Sequence, residues 1–463
     1  MTRQLDTSIT GFQGRVLTAE DPEYDTARKV WNGAIDHRPA VIARCTGAAD
    51  VAAALGHAER AGLDVSVRGG AHNFAGNAVW PGALTIDLSE LARVEVDPDT
   101  RTVRCQGGAL LSGLDAATQE HALAVPSGTV SHTGVGGLTL GGGFGWLTRD
   151  HGLSVDSLAA VRIVLADGSL VEASEDAHPE LFWAVRGGGG NFGVVTEFTF
   201  SAHPVGPLVN VGLLFWPLER GTEALQAIRD TVSELPEGHG SLAGIAMNAP
   251  PAPFVPEQYH FAPGHALILA GFGSAEEHAA LVARARDAVP PLFDFVAQMP
   301  YTALQSMLDD AAPPGILGYE RALYVDDLTD EVIAVIGEHA GRKSSPMSFV
   351  PVFRLDGAYA EVDDAATAFG GARRPCYVIN TACIAPSPDL FEADTDWARS
   401  LWADLVPYAR GAGGYVNFMV EQDQERILAA YGPQKYRRLA GIKAEYDPGN
   451  VFRHNANIKP AAL

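Results

Sequence analysis

The distribution of glycine constrains this chain more than any other feature. The 463 residues include 50 glycines, concentrated in VRGGAHNFAG at 67–76, SGTVSHTGVGGLTLGGGFG at 127–145 and RGGGGNFG at 186–193. Glycine lets backbone N–H groups approach a ligand closely and adopts positive φ without steric cost. The density of glycine between residues 123 and 157 also argues against a regular packed helix there. The three segments are therefore candidate cradles for a phosphate or a ring.

Two common nucleotide-binding patterns do not account for these segments. A triphosphate-binding loop needs G-x-x-x-x-G-K-[ST], and no glycine here precedes Lys-Ser or Lys-Thr. The pattern G-x-G-x-x-G occurs at Gly188, Gly190 and Gly193. It follows a predicted helix and opens a predicted strand, whereas a dinucleotide-binding unit requires the reverse order. We interpret that match as accidental.

Composition narrows the class of protein further. A chain of 463 residues predicts about two large domains, since domains usually hold roughly 100–200 residues. The formal charge of −23 would repel nucleic acid and anionic lipid, so neither is expected as a partner. The start of the chain lacks the features of a signal peptide and no apolar run is long enough to span a bilayer, so we expect a cytoplasmic protein without a membrane segment. Four cysteines without C-x-x-C spacing indicate neither a metal site nor a redox motif.

Hydrophobic periodicity predicts two regions of different architecture. In the first, strand 39–45, helix 47–62 and strand 64–68 form a β-α-β unit. The pattern then predicts short strands at 84–88, 93–97 and 102–106 and a helix at 110–122. It continues with a hairpin at 160–173, a short helix from His178 to Gly187 and a strand at 192–200. From about residue 206, longer strands alternate with longer helices, which predicts a broad sheet covered by helices on one face; these elements are 208–215, 222–234, 266–272, 275–288, 320–325, 330–340, 347–355, 376–383 and 392–409.

Together the three glycine-rich segments resemble the PCMH-type FAD-binding domain of the vanillyl-alcohol oxidase superfamily, and within it the berberine bridge enzyme-like oxidases. The resemblance extends over nearly the whole chain. It implies an α+β fold, with an FAD-binding domain of two α/β subdomains and a substrate domain whose large antiparallel sheet is covered by helices. It also implies boundaries: residues 1–205 for the FAD-binding domain, 206–411 for the substrate domain, and 412–463 for a C-terminal return to the FAD domain.

The same resemblance assigns a covalent 8α-histidyl bond between FAD and His72. Neutral imidazole is a competent nucleophile near its ordinary pKa of about 6.5, which supports the assignment chemically. Bicovalent relatives carry a cysteine where this chain has Val130, so no cysteinyl link is expected, and the chain resembles the singly attached bacterial branch of 6-hydroxynicotine oxidases and polyketide-tailoring flavoproteins. Ala71 stands where close relatives have glycine, and we expect a negative φ there that shifts the loop slightly.

The resemblance also places a larger set of residues at the FAD. Thr133 falls where the family controls the access of oxygen, and Tyr415, Asn417, Asn455 and Asn457 match C-terminal motifs that return to the flavin. The complete set is Arg68, Gly69, Gly70, Ala71, His72, Asn73, Gly76, Thr133, Gly134, Gly136, Gly137, Thr139, Gly141, Gly142, Gly145, Gly190, Asn191, Gly193, Val195, Tyr415, Asn417, Asn455 and Asn457.

The catalytic base is not assigned by the motifs, because Phe418 stands where plant relatives carry a tyrosine proposed for that role. We rank Tyr415 first, His132 second and Tyr377 third as candidates. For His132 a structural role in the flavin loop is an equal alternative, and for Tyr377 plain packing in the sheet is the stronger one. A phenol has an ordinary pKa near 10, so Tyr415 would need activation to accept a proton.

The resemblance implies an FAD-dependent oxidase that removes a hydride from a small organic substrate and returns the electrons to dioxygen, forming hydrogen peroxide. Two alternatives remain open: a dehydrogenase or oxidative cyclase of the same fold that reacts poorly with oxygen, and a non-redox cyclase that uses flavin as a scaffold. The strands within 241–251, 347–362 and 376–386 are expected to line the substrate pocket. Their largely apolar character favours a secondary-metabolite skeleton over a sugar. The oligomeric state is left open.

Overall fold

The computed structural model describes residues 8–411 and 413–462. Within them the strands are β1 (Arg15–Leu17), β2 (Val41–Arg44), β3 (Val65–Arg68), β4 (Leu84–Asp87), β5 (Val94–Asp97), β6 (Thr102–Gln106), β7 (Leu123–Ala124), β8 (Leu158–Val164), β9 (Leu170–Ser174), β10 (Val194–Ser201), β11 (His203–Pro204), β12 (Leu208–Pro217), β13 (His239–Asn248), β14 (Pro263–Gly271), β15 (Phe293–Pro300), β16 (Leu317–Val325), β17 (Val350–Leu355) and β18 (Cys376–Ala385).

The α-helices connect these strands and close the chain. They are α1 (Tyr24–Ala27), α2 (Ala48–Ala61), α3 (Leu111–Gln119), α4 (Val135–Leu140), α5 (Thr148–His151), α6 (Pro179–Val185), α7 (Gly221–Ser233), α8 (Ala275–Ala288), α9 (Tyr301–Ser306), α10 (Asp330–Ala340), α11 (Ala358–Glu361), α12 (Pro388–Leu405) and α13 (Gln424–Tyr446). Short 3₁₀ turns lie at Ser154–Asp156, Leu218–Arg220, Glu257–Tyr259, Asp309–Ala311, Val406–Tyr408 and Val416–Phe418. In the part of the chain that the structure describes, no helix has the length and apolar character needed to cross a bilayer.

The first sheet has the order β1-β2-β4-β3, with β4 parallel to both β2 and β3 and β1 antiparallel at the edge. The β-α-β unit predicted from the sequence is confirmed, because α2 connects β2 to the parallel β3. Helix α2 ends at Gly62, whose φ of 65° gives the left-handed cap that glycine favours. Strand β3 leads directly into the first glycine-rich segment.

The second sheet is antiparallel, with the order β5-β6-β10-β8-β9, and its hairpins β5–β6 and β8–β9 confirm two predicted turns. The expectation of no helix in the second glycine-rich segment is wrong, because α4 occupies its middle. Tertiary contact explains the short helix: a Cβ at Gly136 would lie 2.9 Å from the carbonyl oxygen of Gly107. Close packing against the neighbouring loop therefore outweighs the low helix propensity of glycine, about 1 kcal/mol per residue.

The third sheet has seven antiparallel strands in the order β15-β12-β14-β13-β17-β18-β16. Helices α7, α8, α10 and α12 pack on one face and share a core with it, which confirms the predicted helix-covered sheet. The sequence analysis did not predict β15, an edge strand whose side chains alternate between half-buried and exposed. Its Phe293, Phe295, Ala297 and Met299 alternate with the period of a strand, but the exposed Val296 interrupts the polar half of that pattern.

The C-terminal segment packs against the second sheet. Val416, Ile427 and Leu439 belong to the same core as Val161 and Phe198. Within α13 the helical path breaks at Gly432, whose φ is 72°, directly before Pro433. This return brings the last predicted motifs back to the glycine-rich segments of the first half of the chain.

Candidate active site

One deep cavity lies where the parts of the molecule meet. Its walls are the three glycine-rich segments, the C-terminal return and one face of the seven-stranded sheet. Each of the three strand regions expected to line a substrate pocket contributes, through Leu242, Phe349, Phe353, Ala382 and Ile384. The cavity therefore has a glycine-rich backbone side and a side-chain side formed by the sheet.

On the backbone side, two loops are in direct contact. A Cβ on Gly70 would lie 2.4 Å from the nitrogen of Gly134, and a Cβ on Gly134 would lie 2.5 Å from the nitrogen of Gly70. No side chain fits there, so glycine is required at both positions. A Cβ on Gly137 or Gly190 would instead meet no protein atom within 4 Å. These two residues present open backbone to the cavity, as a cradle for a ligand requires.

His72 lies on the cavity wall in contact with two other rings. Trp31 stacks on the His72 ring at a centroid distance of 4.9 Å. Nε2 of His72 lies 3.1 Å from Nδ1 of His132. Burial, with a smaller contribution from the neighbouring His132, lowers the pKa of His72 to about 3. The imidazole is therefore neutral at physiological pH and keeps a nucleophilic lone pair.

Trp31 also connects the two halves of the chain. Its Nε1 donates to the carbonyl oxygen of Ala312 at 2.8 Å. The neighbouring Asn32 donates through Nδ2 to the carbonyl oxygen of Gly318 at 2.8 Å and accepts from the Gly318 N–H at 2.9 Å. The ring that stacks on His72 is thus held in place by strand β16 and the loop before it.

The expectation of a negative φ at Ala71 is wrong. Its φ is 54°, a left-handed conformation that costs a residue with a Cβ about 1–2 kcal/mol. The carbonyl oxygen of Ala71 accepts from the Trp31 N–H at 2.9 Å, and the contact of Gly70 with Gly134 fixes the preceding residue. The surrounding contacts therefore hold the loop in the shape that a glycine would adopt.

Tyr415 lies in the cavity, but its hydroxyl oxygen is already engaged. It accepts from the Gly143 N–H at 3.0 Å and from Asn417 Nδ2 at 2.8 Å. Burial raises the pKa of Tyr415 well above 10, because the phenolate would lose its hydration. This environment suits a fixed hydrogen-bonding group and disfavours a proton acceptor.

Many of the residues predicted at the FAD line this cavity; they are Gly69, Gly70, Ala71, His72, Asn73, Thr133, Gly134, Gly136, Gly137, Gly190, Asn191, Gly193, Val195, Tyr415, Asn417 and Asn455. Val130, the position of the family's cysteine, lines it as well. The structure thus brings together residues separated by more than 380 positions in the sequence.

Arg68 and Tyr377 do not line the cavity. The Arg68 side chain turns away, donates to the carbonyl oxygen of Lys29 and lies 3.7 Å from the Asp87 carboxylate. Tyr377 lies on the opposite face of the sheet, in the core with the covering helices, and the Arg354 guanidinium lies over its ring. Because alternate residues of a strand face opposite sides, its position on β18 excludes it from the chemistry.

The other predicted residues outside the cavity wall support it from behind. His132 contacts His72 through the ring-nitrogen pair described above. A Cβ on Gly141 would collide with the Asn417 side chain and one on Gly145 with the Ser127 carbonyl. Asn457 accepts from Gln424 Nε2 through its backbone carbonyl. A Cβ on Gly76 would collide with the Ile35 side chain, and one on Gly142 with the Phe369 ring. The carbonyl oxygen of Thr139 accepts from the Gly142 N–H.

Sequence reasoning missed Glu320, the one carboxylate among the described cavity-lining residues. It also missed Trp31 and the Asn380 side chain, which donates from Nδ2 to Glu320 Oε2 at 2.8 Å. A glutamate in the buried strand GYERALY was the available signal, because a carboxylate is rarely buried without a partner. Asn380, on the neighbouring β18, carries no comparable local signal.

Comparison with known proteins gives this geometry a family. One family model, the FAD binding domain, matches residues 39–174, and a second, berberine and berberine like, matches residues 414–459. The uncharacterized FAD-linked oxidoreductase YvdP of Bacillus subtilis (strain 168) is 30% identical over 461 residues, which cover 98% of this chain and 99% of that protein.

Solved structures agree. The crystal structure of 6-hydroxy-D-nicotine oxidase from Arthrobacter nicotinovorans matches with a TM-score of 0.88 at 27% identity, covering 99% of this chain and 100% of that one. The fold is also that of glucooligosaccharide oxidase from Acremonium strictum, described with a 6-S-cysteinyl, 8α-N1-histidyl FAD, with a TM-score of 0.84 at 24% identity and coverage of 97% and 98%.

The chain belongs to the berberine-like FAD-linked oxidoreductases. It is an enzyme with an FAD-binding domain, and its α+β fold is the one that the sequence resemblance implied. The residues present fit FAD, because open glycine backbone faces the cavity at Gly137 and Gly190. On the same wall Asn455 Oδ1 is a buried acceptor that has no hydrogen-bond partner among the described residues, and it could accept from a hydroxyl of the cofactor.

Proposed function

We propose that this protein is an FAD oxidase that carries its cofactor on His72 and oxidises a small organic substrate. Bound FAD supplies the acceptor for the substrate's hydride, and dioxygen takes the two electrons on to form hydrogen peroxide. The observation that carries the proposal is the neutral, half-buried imidazole of His72, which contacts Trp31 and His132 on the wall of the glycine-lined cavity. The 6-hydroxy-D-nicotine oxidase whose structure this chain resembles is itself named as an oxidase.

The contacts of His72 support attachment through one particular ring nitrogen. Nε2 interacts with Nδ1 of His132, which leaves Nδ1 of His72 as the nitrogen for the bond to the flavin. His132 Nδ1 accepts the Nε2 proton while His72 Nδ1 forms the N–C bond. Bound FAD would supply the carbon for that bond at its 8-methyl group; one C–H proton would be released there, and dioxygen would take up the two electrons.

The chain offers no thiol for a second link. Val130 lines the cavity where bicovalent relatives carry cysteine, and Cys45, Cys105, Cys376 and Cys383 are all buried away from the cavity wall. Thr133 lines the wall three residues later, where a small side chain leaves room for dioxygen. These features support a singly attached, oxygen-reactive flavin.

The test is the intact mass of the denatured protein together with peroxide release. We expect the wild type to carry the mass of FAD and His72→Ala to lose it while retaining some FAD without a covalent bond. His132→Ala should attach FAD about 10²-fold more slowly, the lower end of what a proton acceptor contributes. His121→Ala, at an exposed position, is the matched control and should behave as the wild type.

Three results would contradict the proposal. A wild type without the added mass excludes the covalent bond, and a His72→Ala variant that keeps the added mass moves it to another residue. A reduced enzyme that fails to form peroxide from dioxygen excludes oxidase behaviour and favours a dehydrogenase of the same fold.

A further inference from the structure

Glu320 is a buried acid that no other described protein group fully satisfies. The residue is 2% exposed and lines the cavity. Its Oε2 accepts from Asn380 Nδ2, while its Oε1 and the Oδ1 of Asn380 have no hydrogen-bond partner. Burying a carboxylate and an amide with unpaired acceptors is costly unless a ligand supplies donors. The pair is therefore a candidate docking point for a group that brings N–H or O–H.

The surroundings of this pair restrict the chemistry of that ligand. The sheet side of the cavity is otherwise apolar, with Phe349, Pro351, Phe353 and Ile384 among its lining residues. The described residues that line the cavity include no lysine or arginine. A carboxylate ligand would find no cation there and would face Glu320. A neutral or cationic molecule with one donor group on an apolar skeleton fits instead.

The position of Glu320 links it to the redox end of the cavity. Burial, the largest effect, and the charge of Glu320 both raise the pKa of Tyr415, so the carboxyl lies within electrostatic reach of that phenol. Tyr415 belongs to the C-terminal return, whose Asn417 donates to the carbonyl oxygen of Leu138 in the second glycine-rich segment at 3.1 Å. Substrate docked on Glu320 is thereby held beside the segment that cradles the cofactor.

We propose that Glu320, held by Asn380, is the proton acceptor of the reaction and that the substrate is an apolar alcohol or amine whose hydroxyl or amino group docks on this pair. This rests on the proposed function. The substrate carbon loses a hydride to the cofactor and its O–H or N–H proton to the Glu320 carboxylate, so that a C=O or C=N bond forms. Dioxygen takes up the two electrons, and the proton leaves Glu320 before the next turnover.

Geometry explains why the three candidates taken from the sequence do not perform this step. Tyr377 faces the helices, His132 is directed at His72, and the Tyr415 oxygen already accepts two hydrogen bonds. Burial raises the pKa of Glu320 to about 8, with the hydrogen bond from Asn380 opposing that shift. Among the described residues, Tyr415 is the titratable group whose pKa the Glu320 carboxyl raises. The carboxylate form, which accepts the proton, therefore grows as the pH rises through about 8.

Glu320→Gln is the decisive variant, because it removes the charge and the basicity but keeps the shape and an acceptor for Asn380. Asp115→Asn is its matched control. Asp115 is also fully buried, burial raises its pKa to about 7, and it accepts from Gln305 Nε2 at 2.9 Å. Asp115 does not line the cavity. A comparison of the two variants thus distinguishes the effect of removing any buried carboxyl group from the effect of removing Glu320 in the cavity.

The first readout needs no turnover. Both acids have a folded-state pKa above the ordinary value, so folding favours their protonated forms, and stability is lost as the pH rises from about 4.5 towards about 8. In each variant the melting temperature should decrease less steeply with rising pH than in the wild type. In infrared spectra, titration should remove a protonated-carboxyl band near pH 8 that Glu320→Gln lacks and Asp115→Asn retains. A wild type without that band overturns the protonation state proposed for Glu320.

The second readout is anaerobic reduction of the flavin by benzyl alcohol, benzylamine and their longer arylalkyl homologues, with benzoate and toluene as negative probes. We expect the donor-bearing compounds alone to reduce the wild type, at a rate that rises with pH through about 8. Glu320→Gln should be slower by about 10²–10⁴-fold with a flat pH profile, while Asp115→Asn stays within about twofold of the wild type.

Equal rates in Glu320→Gln and wild type overturn the role of Glu320 and leave the proposed oxidase function intact. Reduction by none of the donor-bearing probes overturns the substrate class. The proposed function fails separately, by absence of the FAD mass or of peroxide. Flavin content measured in each variant distinguishes a chemical defect from a failure to load cofactor.

Discussion

The two sides of the cavity are built in different ways. On the cofactor side, short glycine-rich segments expose their backbone, and Gly70 and Gly134 approach so closely that no Cβ fits. On the substrate side, single side chains project from long strands, such as Glu320 from β16 and Asn380 from β18. One wall presents main chain to the cavity, and the other presents side chains contributed one at a time by separate strands.

This difference explains which wall can be found from the sequence. A backbone cradle needs several glycines close together in the chain, so it leaves a local pattern. A pocket on a sheet face uses alternate residues of strands that are distant in sequence and adjacent in space, so it leaves none. The cofactor wall should therefore depend on how its segments are held together, and the substrate wall on the identity of individual side chains.

Lys443→Met should cause the largest loss, on the cofactor side. The fully buried Lys443 donates from Nζ to the Asn191 carbonyl oxygen at 2.5 Å, the Asp447 carboxylate at 2.6 Å and the Phe452 carbonyl oxygen at 3.0 Å. It thus ties the third glycine-rich segment to the C-terminal return. Removing one partner of a buried ion pair costs about 3–5 kcal/mol, which chemical denaturation would measure. The flavin content of the purified variant should decrease together with its free energy of unfolding.

The control for this prediction is Lys459→Met, at an exposed position of the same C-terminal segment. It should change the free energy of unfolding by less than about 0.5 kcal/mol. If the two lysine variants are equally stable, the view that buried polar clamps hold the cofactor wall is incorrect.

Tyr415→Phe probes the border between the two sides. The sequence analysis ranks Tyr415 first as the catalytic base, whereas the structure shows that its hydroxyl oxygen accepts from the Gly143 N–H and from Asn417. Leaving these buried donors unpaired should cost about 1–3 kcal/mol of the free energy of unfolding. Because Glu320 is proposed to take the proton, the rate of flavin reduction should fall less than tenfold. A fall of 10² or more would return the role of base to Tyr415.

Ile384→Val tests the substrate side and should have the smallest effect on stability, about 0.5–1.5 kcal/mol. Its matched control is Ile379→Val, on the same strand but facing the helix layer. Both variants should lose similar stability and keep their flavin. Only Ile384→Val, whose side chain lines the cavity, should change the KM for substrate. A change of KM in both variants, or in neither, would contradict the assignment of faces.

The sequence predicted much of the fold for reasons that the structure makes clear. The β2-α2-β3 unit and the two hairpins follow from local periodicity and turn residues. Helix α4 was missed because its stability comes from the contact of Gly136 with the Gly107 loop, which no local propensity encodes. Strand β15 was missed because the exposed Val296 interrupts the polar half of its period-two pattern.

The residues of the candidate site also fall into those that could be predicted from the sequence and those that could not. His72 and the glycines around it could be predicted as one group on the cavity wall because their motif is contiguous. Tyr377 was misplaced because a sequence that is apolar on both faces of a buried strand does not reveal which face meets the cavity. Arg68 was misplaced because the ion pair with Asp87 depends on the parallel pairing of β3 with β4. The position of Glu320 in the cavity could be predicted only with knowledge of the strand order in the sheet.

The bridge from Trp31 and Asn32 to the loop and strand around Ala312 and Gly318 bears on the order of events during synthesis. These partners are separated by 281 and 286 positions, so the bridge forms only after roughly two thirds of the chain has been translated. Until then the ring that stacks on His72 lacks the hydrogen bond that holds it. We expect covalent flavin attachment to follow release of the chain from the ribosome, when the C-terminal return has closed the cavity.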